Sequence, residues 1–285
     1  MEENLHTIGE VAKKAQISTR TLRHYEKLGL IRPDYIGENS YRYYEEETIL
    51  RLTIIKYFKI IGFSLEEIKS QMDEPDIVEM IRSFDKILKS NEKEIDEIFL
   101  RQEIVRDWRR LLEESQFLIN NKVDTVSLKF LPGKRLISYL IDFDFEYKSA
   151  ILDIEFSNFI EQSNNKISGP VMFYFTNIEG RFRIEESKST IRAKYIQKAL
   201  KEIKEEAVFD FNLGLYASIY HYGSHNKLDE SYKKLFDWQK ESGYKFVGPV
   251  IERFILDYWS SFDEEKFITE IIAPVEKDSA MEFTE

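Results

Sequence analysis

Cysteine is absent from the 285 residues. That excludes disulfides, thiolate metal sites and iron–sulfur clusters held by their usual ligands. Histidine is scarce, and the four at positions 6, 24, 221 and 225 are too scattered to replace such sites. No run of about 18 or more apolar residues exists, and the stretch from Met1 to Leu5 lacks the basic and apolar regions of a secretory signal. The expectation is a soluble, cytoplasmic protein with no membrane partner and no cofactor. Positive charge is also in deficit: the formal net charge is -11. A protein that coats nucleic acid along its whole surface is therefore excluded, because phosphate binding needs local positive charge.

What is present is unevenly distributed. Between Lys13 and Arg32 six cationic residues stand against one acid, Glu26, so a basic patch sits on an acidic chain. Basic helix faces are often merely solvated, and charge alone does not decide between the two readings. With 42% hydrophobic residues, the chain has enough apolar material for two modest cores and a connector.

Capping signals organise the first 75 residues. Thr7 with Glu10 reads as a capping box opening a helix to Ala15. Ser18 then caps a second helix, Thr19 to Leu28, which ends at Gly29. The segment Ile31 to Tyr44 carries Pro33, a Gly37-Glu38-Asn39 turn and aromatic flanks, the pattern of a hairpin wing. Glu45, Glu46 and Glu47 suit the start of a helix running to Ile61 before Gly62. Ser64 and Glu67 form another capping box. The product is an α-rich winged helix-turn-helix over 1–75.

From Pro75, apolar residues follow a four-three spacing at Ile77, Ile81, Phe84, Leu88, Ile95, Ile98, Val105 and Leu112. This is a coiled-coil heptad over 76–120 that would make a homodimer; the alternative is a long amphipathic helix packed on its own domain. Beyond Lys122 comes an α+β domain, 121–278, followed by a tail, 279–285. A strand–helix–strand unit occurs there twice. The first copy is strand Lys134–Asp144, helix Glu146–Gln162 and strand Val171–Ile178; the second is Gly214–Tyr222, Lys227–Ser242 and Val250–Asp257. Each ends in a further strand, Arg181–Glu186 and Lys266–Ala273. Both helices are expected on one face of an antiparallel sheet, leaving the other face free to form a cleft.

The helix from Ser18 offers Ser18, Thr19, Arg20 and Thr21 to base edges or phosphates, with Arg23, His24 and Tyr25 extending that surface. In the wing, Arg42 beside Tyr41 and Tyr43 can reach a phosphate or a minor groove, and Lys56 and Lys59 add phosphate contacts. Tyr25 and one wing tyrosine are equally well read as core. In the last domain, alternation along Val250–Asp257 places Glu252 on the same face as Phe254 and Leu256, a carboxylate on an otherwise apolar surface. Its duplicate position, three residues after the other Gly-Pro, is Phe173. A counter-ion for a cationic ligand held among aromatic rings fits this pattern, with Tyr139, Phe173, Tyr220, Trp259 and Phe267 as walls. The competing reading is structural: Arg181, Arg183 or Arg253 satisfies the acid, or the strand lies at an edge.

The run TIGEVAKKAQISTRTLRHYEKLGLIRP, with the wing tail SYRYY and the FSLEEIK segment, resembles the MerR family of transcriptional regulators over residues 5–75. The paired strand–helix–strand units and GPVIERFILDYW resemble the gyrase-inhibitor-like effector-binding domain. Together they look like multidrug-binding regulators of the BmrR type. The resemblance implies a homodimer joined by an antiparallel coiled coil and bound to double-stranded promoter DNA with an overlong spacer. A small organic ligand would then drive distortion of that spacer, acting on RNA polymerase indirectly; the family also places a glutamate at the position of Glu252. Lacking cysteine, the chain falls on the organic-ligand side of that family. The alternatives are a small-molecule hydrolase, with Glu252 and Tyr220 or His221 as base and acid, and a DNA-bending protein without a ligand.

Overall fold

In a computed structural model, residues 5–38, 40–187 and 190–278 are described. Asn39 of the wing turn and the 279–285 tail lie outside them. The chain forms two compact units, 1–98 and 99–285.

In the first unit, β1 (His6–Thr7) leads into α1 (Ile8–Ala15) and α2 (Thr19–Leu28). The wing is β2 (Tyr35–Ile36) and β3 (Arg42–Tyr44); α3 (Glu46–Ile61) and α4 (Leu65–Asp73) complete the fold. Side chains stop and start these helices where the sequence signals them. Thr7 with Glu10 and Ser64 with Glu67 form capping boxes, and Gly29 closes α2 in the left-handed conformation (φ 73°) that a Cβ would strain. Val11, Leu22, Leu30, Tyr44, Leu52, Ile55, Phe63 and Ile68 form the core.

The long helix α5 spans Ile77–Asn121. Of its heptad positions, Ile77, Ile81, Leu88, Ile95, Ile98, Val105 and Leu112 are exposed. Phe84 is not: its ring meets Phe63 edge-on at 5.4 Å and packs on the winged-helix core. Among the described residues no helix is long and apolar enough to cross a membrane.

The second unit is an antiparallel sheet with helices. Its first half contains β4 (Ser127–Leu131), β5 (Lys134–Phe143), α6 (Tyr147–Ile151), α7 (Ile154–Gln162), β6 (Met172–Phe175), α8 (Ile178–Ser187) and β7 (Ile191–Lys198). The second half contains β8 (Val208–Phe211), β9 (Gly214–Tyr222), α9 (Leu228–Ser242), β10 (Tyr244–Phe246), β11 (Val250–Leu256) and β12 (Ile268–Lys277). The strand order β4-β9-β12-β11-β6-β7-β5-β8 reads the same role outward from its centre, β11 matching β6 and β12 matching β7. The duplication is thus a pseudo-twofold sheet.

Two expectations fail here. The first copy's helix is two helices, because Asp153 accepts the N–H groups of Glu155 and Phe156 and so starts α7 afresh. The segment from Arg181 is helical rather than a strand: Asn177 Oδ1 accepts the Gly180 N–H and opens α8, and the strand equivalent to β12 comes later, as β7.

Candidate functional site: an exposed basic helix and a buried aromatic chamber

Thr19, Arg20, Arg23 and His24 project into solvent from the first two turns of α2. Ser18 and Thr21 are partly committed to the cap: the Thr21 N–H donates to Ser18 Oγ at 3.0 Å and the two hydroxyls lie 2.8 Å apart. Tyr25 is buried in the winged-helix core, so its ring packs the helix rather than extending the surface. Tyr41 is exposed in the wing. Arg42 Nε donates to Glu26 Oε2 at 3.0 Å, and the Tyr44 hydroxyl donates to the same carboxylate. Glu26, the one acid of the basic stretch, therefore ties the wing to α2. Burial and then Glu26 push the Tyr44 phenol above its ordinary range. Lys56 Nζ donates to the Ala15 carbonyl at 2.6 Å and Lys59 Nζ to the Phe63 carbonyl at 3.1 Å. The Lys56 ammonium thus sits at the C-terminal carbonyl of α1, where partial negative charge holds it, and Lys59 braces the link between α3 and α4.

In the second unit Glu252 is fully buried, and so is Arg181. Arg181 Nε donates to Glu252 Oε1 at 2.8 Å. The Tyr232 hydroxyl donates to Oε1 at 2.8 Å and the Tyr147 hydroxyl to Oε2 at 2.9 Å. Arg181 also donates to the Tyr147 hydroxyl. The guanidinium carbon lies 4.8 Å from the Phe145 ring centroid, 5.2 Å from Tyr232 and 5.4 Å from Phe175. Here is a carboxylate and a cation inside a cage of aromatic faces, the geometry of cation–π recognition, with the cation supplied by the chain. Burial first, then Glu252, holds the Tyr232 phenol well above its ordinary value, so it stays a donor.

The expected walls divide. Phe173 is the cross-strand partner of Glu252 and is fully buried beside it. Phe267 lies on the same face but one ring further out, stacked on His225 at 4.9 Å, which in turn meets Tyr147 at 5.0 Å. Tyr139 shares the face yet is separated from Glu252 by β7 and β6, roughly 14 Å at the ordinary strand spacing. It packs on Phe159 at 4.8 Å instead. Tyr220 and Trp259 are corrections: both belong to the opposite face. Tyr220 pairs with Glu270, which is opposite Arg253, the neighbour of Glu252, and side chains alternate. Trp259 meets Trp108 of α5 at 4.6 Å. His221 is engaged elsewhere, with Ser231 Oγ at 3.0 Å and the Ser224 carbonyl at 3.1 Å. The base–acid pair that hydrolysis would need, Glu252 with Tyr220 or His221, is not formed.

Sequence reasoning missed Tyr147, Tyr232, Phe145 and Phe175. A signal existed for Tyr232: it stands where the first copy has Phe156, so the second copy carries both the acid and a phenol in place of two phenylalanines. Helices on one face and a cleft on the other match the expectation, and Glu252 lies on the helix-covered face. The helices α6, α7 and α9 cover the Glu252 face, and the open cleft is on the other side, lined by Ile251 and Arg253.

A winged helix with an exposed basic second helix defines a helix-turn-helix protein. Residues 6–74 match the family described as MerR HTH family regulatory protein, and residues 156–276 match the GyrI-like small molecule binding domain. The chain is 43% identical over 74 residues to the Multidrug-efflux transporter 1 regulator of Bacillus subtilis (strain 168), covering 26% of this chain and 27% of that one. It is 34% identical over 124 residues to the uncharacterized HTH-type transcriptional regulator YyaN of the same strain, covering 42% of this chain and 90% of that one. Over 257 residues it is 23% identical to the Multidrug-efflux transporter 2 regulator of that strain, 88% of this chain and 89% of the other. Several curated relatives are matched over 27%, 28% or 37% of their own length. The chain belongs to the MerR family of helix-turn-helix regulatory proteins.

Proposed function

We propose that this chain is a ligand-responsive transcriptional activator that binds double-stranded promoter DNA as a homodimer and senses a small, cationic, aromatic or lipophilic molecule in its C-terminal part. Residues 1–75 bind DNA through α2 and the wing, 76–120 form the dimer along the exposed seam of α5, and 121–278 bind the effector. Ligand binding distorts the promoter spacer and so acts on RNA polymerase indirectly. What carries the sensing half of the reading is the buried Glu252 with a cation already caged against it by rings. A buried carboxylate without a partner is costly, so the site holds one cation or another at all times. A cationic ligand takes the place of the Arg181 guanidinium.

The test is calorimetric titration with tetraphenylphosphonium and with neutral triphenylphosphine oxide. The parent is expected to bind the cation the more tightly, and Glu252→Gln to lose affinity for the cation alone. Equal losses for both ligands, or none for either, would assign Glu252 a structural role only.

A further inference from the structure

A cavity of the second unit lies on the face of the sheet away from Glu252. Its volume is about 680 Å³, within the size range of small-molecule sites. Its floor is apolar: Leu136, Met172, Ile196, Ile251 and Ile272, one from each of β5, β6, β7, β11 and β12. Its roof is α5, where Asp107, Arg110, Leu111 and Glu114 share one helix face.

The charge around this floor is one-sided. Six cationic side chains line the cavity against three carboxylates, in a chain whose net charge is -11. The carboxylates are already engaged. Glu270 accepts from Lys129 at 2.5 Å, Ser218 at 2.6 Å and Arg253 at 2.8 Å. Glu114 takes both guanidinium nitrogens of Arg253, at 2.8 and 2.5 Å. Asp107 accepts from Ser168 and Lys198, each at 2.8 Å. Burial works against charge on Glu270, Lys129 and Arg253, yet their attraction for one another, and for Arg253 first that of Glu114, outweighs it: Glu270 is held below its usual range and the two cations above theirs. A cation entering the cavity meets carboxylates that are saturated. Of the cations, Arg135 is paired with Glu205 at 2.9 Å and Lys198 with Asp107 at 2.8 Å; an anion therefore meets Lys134 at the mouth and Arg110, whose contact with Asp107 is long at 3.5 Å, over low-dielectric walls that focus the field.

We infer that this cavity is a second binding site, for an amphipathic organic anion whose apolar body lies on the sheet and whose acid group meets Arg110 and Lys134 beneath α5. The ligand touches α5 and the sheet together, beside the Arg253–Glu114 pair that fastens one to the other. An occupant there bears directly on how the C-terminal part of α5 is seated. This inference goes beyond the cation-sensing reading and does not depend on it.

The test uses the full-length protein and three ten-carbon probes below their micellar or solubility limits: decanoate, decyltrimethylammonium and 1-decanol. Decanoate is expected to bind saturably at one per chain, at least tenfold more tightly than either of the others. Arg110→Glu combined with Lys134→Glu, both surface charge reversals, is expected to weaken it at least tenfold with an unchanged melting temperature. Glu252→Gln, on the other face, is expected to leave decanoate binding unchanged. Absence of saturable decanoate binding, equal affinity for all three probes, or indifference to the charge reversal would each overturn the assignment. Loss of decanoate in Glu252→Gln with retention in the rim variant would move the site to the aromatic chamber and overturn it equally.

Discussion

Glu252 and Phe173 face each other as cross-strand partners on β11 and β6, the two strands at the centre of the pseudo-twofold sheet. Each stands three residues after a Gly-Pro pair, so the two are the same position of the duplicated unit. At this pair the halves differ by a charge. The second copy answers the acid with Tyr232 on α9, where the first copy has Phe156 on α7. Arg181, which neutralises it, comes from α8, a helix without a counterpart between β11 and β12. The chamber thus rests on side chains that the repeat does not share, in an otherwise repeated architecture.

Arg181→Met is expected to separate the chain's own cation from the chamber it fills. Removing one partner of a buried ion pair leaves the other charge uncompensated and costs roughly 3–5 kcal/mol. The variant should melt well below the parent, and tetraphenylphosphonium should restore it by more degrees than it stabilises the parent, because no internal cation competes. The double variant Arg181→Met, Glu252→Gln should melt above Arg181→Met and ignore the ligand. Thermal shifts in these proteins decide the matter: equal shifts in parent and Arg181→Met would mean that ligand and guanidinium do not share a place.

Legibility in the sequence followed the range of the signal. Thr7 with Glu10, Ser18 and Gly29 fix α1 and α2 through contacts three residues apart, and such local chemistry is visible in the chain. The duplication and the burial of Glu252 were readable from alternation. The pattern alone leaves the partner of Glu252 open among three arginines and misplaces Tyr220 and Trp259, because the groups that hold the acid, Arg181 and Tyr147, lie 71 and 105 residues away from it. Which face Tyr220 occupies depends on the register of β9 against β12, which a single strand pattern does not contain. Since Arg181 is buried with it, Glu252→Gln should melt below the parent.

Arg20 and Arg42 are both cationic, but they differ in what holds them. Arg20 is exposed on α2, so Arg20→Ala should weaken promoter binding and lower the salt slope by about one phosphate contact. Arg42 is tied to Glu26, and Arg42→Ala uncovers that acid on α2, the helix proposed to meet DNA. A double-mutant cycle with Glu26→Gln, read by fluorescence anisotropy, should therefore show a coupling of at least threefold in affinity. Additive effects would mean the wing contact has no part in binding.

The seam of α5 gives a contrast between two of its own positions. Ile95 is exposed in the single chain, so Ile95→Asp should leave the fold intact and yield monomers in a sedimentation experiment at micromolar concentration. Phe84 belongs to the winged-helix core, so Phe84→Asp should instead lower the melting temperature of that unit. An intact Ile95→Asp dimer would place the dimer interface elsewhere.

The last expectation concerns His225, which is buried with neither ring nitrogen hydrogen-bonded and rings at about 5 Å from Tyr147, Phe254 and Phe267. Burial, and then the neighbouring His221, lowers its pKa from 6.5 to about 4. The folded chain therefore keeps this imidazole neutral in a range where the unfolded chain protonates it. Above pH 6.5 the two states agree and stability is undisturbed. As pH falls from 6.5 towards 4 the unfolded state gains the proton alone, and stability drops by up to about 3 kcal/mol. Asp257 opposes this in part of the same window: burial raises it to about 6, so its folded form takes up a proton first and gains stability as pH falls. The difference between parent and His225→Phe isolates the histidine. Phenylalanine fits a site already walled by rings and cannot titrate, so chemical denaturation at pH 7.5 and pH 4.5 should show the variant losing less stability on acidification than the parent. Equal losses in the two proteins would show that His225 is protonated in the fold and paired with a group such as Glu264.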